Sequence, residues 1–99
     1  MTDADLLHAL RDCYHPLLRR NIVELGMVRA ATLLRDTEAP GAHVPGVPLK
    51  YIARVAVTAP GSDETQNAQL AAQIENRLAG IEAISRTEVS MEPALFSIL

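Results

Sequence analysis

An α+β fold in a two-layer α/β arrangement follows from three features of this 99-residue chain. Two stretches repeat apolar residues at the three-and-four spacing of an amphipathic helix, and three carry the period-two alternation or apolar run of a strand. The stretches follow one another as helix, strand, strand, helix, strand. That order predicts a small mixed three-stranded sheet with two helices on one face. The apolar share of 48%, with one Phe, two Tyr and no Trp, implies an aliphatic core of one domain spanning 1–99.

Thr2-Asp3-Ala4-Asp5 reads as a capping box, with Thr2 as N-cap and a carboxylate three residues on. The helix it opens aligns Leu6, Leu10 and Cys13 on one stripe with Leu7 and Tyr14 beside it. Pro16 drives His15 out of helical geometry, so the helix is expected to end near Tyr14. Leu17 to Gly26 is a connection that tucks Ile22, Val23 and Leu25 inward, and Gly26 supplies a turn. The first strand is expected over Met27 to Leu34. Three prolines and two glycines between Asp36 and Pro48 mark a long, flexible hairpin tip without a core of its own.

The second strand, Leu49 to Thr58, puts Tyr51, Ala53, Val55 and Val57 on one face. Ile52 and Ala56 make its other face partly apolar, as in a central strand. It should pair with the first as an antiparallel hairpin. Pro60-Gly61 then turns the chain into a helix from about Asp63 to Ala79. A capping box of Asp63 and Gln66 opens that helix, a stripe of Leu70, Ile74 and Leu78 buries it, and Gly80 ends it. A right-handed crossover leads to a parallel third strand over Ile84 to Met91, with one wet face. After Pro93 come Leu95, Phe96, Ile98 and Leu99, an apolar segment that implies packing across a two-fold-related copy and hence a homodimer.

Charge and composition exclude several classes. The net charge of −3 and the scattered arginines argue against nucleic-acid binding. No apolar run has the length of a membrane span and the N-terminal residues lack the pattern of a signal peptide. With Cys13 as the single cysteine, a cytoplasmic protein without an internal disulfide is expected. One thiol cannot hold an iron–sulfur cluster alone.

His15-Pro16-Leu17-Leu18-Arg19-Arg20-Asn21-Ile22-Val23-Glu24-Leu25-Gly26-Met27-Val28 resembles the iron–sulfur cluster assembly domain of SufT, PaaD and the N-terminus of Mrp-type ATPases. That family reads Asp-Pro-Glu, then Asn-Ile-Val-Asp-Leu-Gly-Leu-Val, and later Thr-Xaa-Pro-Gly-Cys-Pro. Thr58-Ala59-Pro60-Gly61-Ser62-Asp63 is similar to the last of these, and Gly80-Ile81 to a Gly-Val before the final strand. The resemblance runs from about Leu6 to Pro93. The family's Asp falls at His15, its Glu at Leu17 and its cysteine at Ser62. A serine hydroxyl is a far poorer ligand for soft iron than a thiolate.

The resemblance implies an accessory factor in iron–sulfur cluster assembly or metal-cluster maturation. Such a factor docks to a carrier or client protein and catalyses no reaction, and a transient cluster or iron would be its cargo. Thr58, Gly61 and Ser62 are then the cofactor-binding candidates. Cys13 and His15 are the metal-ligand candidates, replacing the absent cysteine if the end of the first helix meets the Pro60-Gly61 turn. Each has a plainer reading: Ser62 as a helix N-cap, Cys13 as a small buried hydrophobe, His15 as a cap on a helix C-terminus, Thr58 as the end of a strand. A hydrolase built from Ser62, His15 and Asp63 would need three side chains in contact that no spacing joins. His8 and Asp12 share a helix face, and His43 sits in the hairpin tip. Asn21 is expected to bond loop backbone as an Asx-turn. The alternative function is a metal-free protein–protein adaptor or oligomer subunit that has lost the cluster-binding cysteine.

Overall fold

The first helix begins as its capping box requires. In the computed structural model, which describes residues 1–16, 18–59 and 63–92, Thr2 Oγ1 accepts the Asp5 N–H at 3.2 Å and Asp5 Oδ2 accepts the Thr2 N–H at 2.8 Å. Helix α1 spans Asp3–Ala9 and tightens into a 3-10 turn over Leu10–Asp12. The α-helical part thus stops well short of Tyr14. Cys13 is already extended, because its carbonyl accepts the Ile22 N–H at 3.0 Å in place of an intrahelical partner. Leu6, Leu10 and Cys13 are fully buried, whereas Leu7 and Tyr14 turn to solvent.

Strands β1, Val28–Arg35, and β2, Tyr51–Thr58, form the expected antiparallel hairpin, with a bulge between Val28 and Ala30. Helix α2 spans Glu64–Ala79, and β3, Ile84–Glu92, lies parallel to β2. The sheet order β1-β2-β3 makes β2 central. The N-cap of α2 is Asp63, whose carboxylate accepts the Thr65 N–H at 2.8 Å; Gln66 has no part in that contact. Gly80 ends the helix in right-handed geometry, at φ −77°.

Both helices cover one face of the sheet. Leu6 and Leu10 from the first helix and Leu70, Ile74 and Leu78 from α2 join Ala53, Val55 and Val57 of β2 in one core. These are the odd-numbered positions of β2, so the period of two decides which face is buried. The even-numbered positions face away from the helices, and Arg54 pairs there with Glu88 at 2.9 Å. The hairpin tip carries exposed Val44, Val47 and Leu49. Residues 93–99, and with them the apolar segment expected at a dimer contact, lie outside the described residues. No helix among the described residues is long and apolar enough to cross a membrane.

Candidate functional site

The connection between the first helix and β1 is a small hairpin. Tyr14 and Asn21 form an isolated antiparallel bridge, His15 donates its N–H to Arg20 O at 2.9 Å, and Arg19 donates to His15 O at 3.0 Å. Arg19 makes the turn at φ 55°, a left-handed conformation uncommon for a residue with a β-carbon. The extended segment alternates its side chains. Cys13 and His15 point inward while Tyr14, between them, is half exposed.

Gln73 of α2 fixes this hairpin from outside. Its Oε1 accepts the Tyr14 N–H at 2.8 Å and its Nε2 donates to Tyr14 O at 3.1 Å, so one side chain imitates a neighbouring strand. Arg77, one turn further along, pairs with Asp12 at 2.8 Å. Nothing in the sequence marks Gln73 for this task beyond its place beside the buried stripe of α2.

His15 does not cap the first helix. Its Nδ1 accepts the Leu18 N–H at 3.1 Å. Asn21 behaves as its type suggests: Oδ1 accepts the Glu24 N–H at 2.8 Å and shapes the path of Val23 to Leu25. Gly26 then turns the chain at φ 70°, and Met27 donates its N–H back to Ile22 O at 3.0 Å. The turn lays Met27 beside the end of β2, where Thr58 donates its N–H to Met27 O at 2.8 Å.

These contacts close a shallow cavity of about 230 Å³ lined by His15, Leu18, Leu25, Met27, Thr58 and Ala59. The sequence candidates His15 and Thr58 therefore share one site, although 43 positions separate them (58 − 15). Leu18, Leu25 and Met27, which supply its apolar walls, fall in the block from His15 to Val28, yet none of them was a site candidate. The lining joins one imidazole and one hydroxyl to three large apolar side chains, a mixture suited to a partner's surface.

Cys13 does not line this cavity. It is fully buried in the core, and burial pushes its thiol up to about 11, with Asp12 adding to the rise and Arg77 opposing it. At neutral pH it is a protonated thiol packed as a small hydrophobe. Among the described residues no three His, Cys, Asp or Glu side chains are grouped to hold a metal ion. Gly61 and Ser62 lie outside the described residues. His8 and His43 are exposed, Asp12 is engaged by Arg77, and the Arg19-Arg20 pair lies on the surface.

No protein-family model, curated protein or solved structure matches this chain.

Proposed function

We propose that this chain is an accessory factor in iron–sulfur cluster assembly that docks to a carrier or client protein and catalyses no reaction itself. The observation that supports this most is the meeting of two sequence blocks that resemble the cluster-assembly domain. The block from His15 to Val28 and the start of the block at Thr58 come together through the hydrogen bond from Thr58 N–H to Met27 O, 2.8 Å long. Around that bond lies a shallow, largely apolar cavity that a partner's side chain could enter. The cluster would be transient cargo, held briefly by this chain and exchanged with the partner. A cytoplasmic location and a homodimeric state belong to the same reading.

Calorimetric titration of the protein into a purified iron–sulfur carrier, loaded with its cluster or empty, tests it. Binding to the loaded carrier is the expected result, and heats indistinguishable from dilution with both forms would overturn the proposal.

The full burial of Cys13, with its thiol held protonated, favours a second reading: a metal-free adaptor that binds its client without regard to iron. Anaerobic reconstitution with iron and sulfide separates the two. An adaptor stays colourless, whereas transient cargo colours the sample. Replacing Ser62 by Cys is expected to raise iron content after reconstitution, since Thr58-Ala59-Pro60-Gly61 resembles a cysteine-bearing frame. Equal iron in variant and wild type would show that the frame no longer receives metal.

A further inference from the structure

The two edges of the sheet are finished differently. On β1, the side chain of Asp3 accepts the outward Leu33 N–H at 2.9 Å, and the bulge at Val28/Ala30 twists the strand start. On β3, Ala59 donates to Glu92 O at 2.7 Å while Thr58 stands opposite Glu92 in the parallel ladder. Glu92 therefore turns both of its backbone polar groups toward β2. Alternation along the strand turns those of Ser90, Glu88 and Arg86 the same way, and leaves the N–H and C=O of Thr87, Val89 and Met91 facing out. Among the described residues no backbone or side-chain hydrogen bond reaches that outer edge.

We propose that the outer edge of β3 pairs with the same edge of a second copy of this chain, antiparallel about a two-fold axis at Val89, making one continuous sheet across the dimer. Charge selects the register. With Val89 opposite its own copy, Arg86 faces Glu92 of the second chain, Thr87 faces Met91, and Glu88 faces Ser90. Opposite charges meet at both ends, and the whole regular part of the strand beyond the irregularity at Ser85 is used. Sliding the axis to Glu88 would set that carboxylate against itself, and sliding it to Ser90 would set Glu88 against Glu92. The outward N–H and C=O groups of Thr87, Val89 and Met91 meet their counterparts only from such a strand.

The helix layer on the same flank leaves room for this. Glu75 and Ala79 of α2 border the groove beside Ser85, Arg86 and Thr87. Ala68 and Ala72 share that side of the helix at helical spacing, and both are exposed. Small residues let two copies of α2 approach as the sheet joins beneath them.

This inference gives the homodimer named above a surface other than the apolar segment Leu95 to Leu99, and its test reads mass alone, so its failure leaves carrier binding untouched. Sedimentation of the full chain at high micromolar concentration is expected to give a dimer. Val89→Pro removes an outward N–H that the ladder with β2 does not use, so the variant is expected to keep its circular dichroism and sediment as a monomer. Arg86→Glu is expected to weaken the dimer about tenfold or more, and adding Glu92→Arg to restore it by exchanging the charges. Deletion of Leu95 to Leu99 is expected to leave the dimer in place. A monomeric wild type, a dimer that survives Val89→Pro, or a dimer lost with residues 95–99 would each overturn the proposal.

Discussion

Two long irregular connections leave opposite ends of the β1–β2 hairpin region, and they are held by different means. The connection from Cys13 to Met27 buries Cys13, His15, Ile22 and Met27, and its backbone bonds join residues far apart along it, such as Ile22 to Cys13. A helix side chain, Gln73, bonds it from outside. The tip between Asp36 and Lys50 buries only Ala39 among its apolar residues. Its backbone bonds are mostly successive short turns: Ala42 to Ala39, Val44 to Gly41, Val47 to Val44. Two stretches of equal length thus give one connection that is part of the core and one, richer in proline and glycine, that leans on itself. Burial and long-range pairing set the stability of a loop, while length does not.

The largest test of this contrast is Ile22→Ala. Ile22 is fully buried in the helix–sheet core, so its truncation is expected to cost about 2–5 kcal/mol in a denaturant titration. A midpoint within error of wild type would mean that the first connection is as superficial as the tip.

Next in size is Gly26→Val. Nothing lies within 4 Å of the place a β-carbon would take, so the cost comes from backbone strain at φ 70° alone. A β-branched residue in that region is expected to lose about 1–3 kcal/mol. If Gly26→Ala and Gly26→Val both leave the midpoint unchanged, the turn is free to relax.

The thiol of Cys13 gives a pH signature of the buried connection. Its folded value of about 11 lies above the reference value of 9.0, so above pH 9 the unfolded chain releases a proton that the folded chain keeps. Stability is therefore complete below pH 9 and falls as pH rises toward 11, by on the order of 1–2 kcal/mol. Unfolding midpoints of wild type and Cys13→Ala between pH 8 and 10.5 measure it, about 1.4 kcal/mol per unit being the limiting slope for one group. Parallel pH profiles for the two proteins would show that Cys13 reaches water.

The smallest effect belongs to the tip. Val44 is 55% exposed, and Val44→Ser is expected to change stability by no more than about 0.5 kcal/mol. A loss comparable with that of Ile22→Ala would show that the tip packs as firmly as the first connection and would break the contrast.

The amino-acid sequence by itself determined what depends on neighbours a few positions away. The Thr2–Asp5 box, the stripe of Leu70, Ile74 and Leu78, the buried alternation of Ala53, Val55 and Val57 and the positive φ at Gly26 all follow from local spacing or local sterics. So does the bond from Asn21 to the Glu24 N–H, three residues apart. Tertiary structure alone decided where the first α-helix stops, because the end was set by Ile22 claiming the Cys13 carbonyl across a loop. It also decided that Gln73 grips Tyr14 from 59 residues away, and that His15 and Thr58 line one cavity from which Cys13 is shut out. Hydrogen bonds of this reach leave no periodic trace, since a side chain's partner is fixed by the packing of whole elements, and the sequence around Gln73 reads the same whether or not Tyr14 is there to meet it.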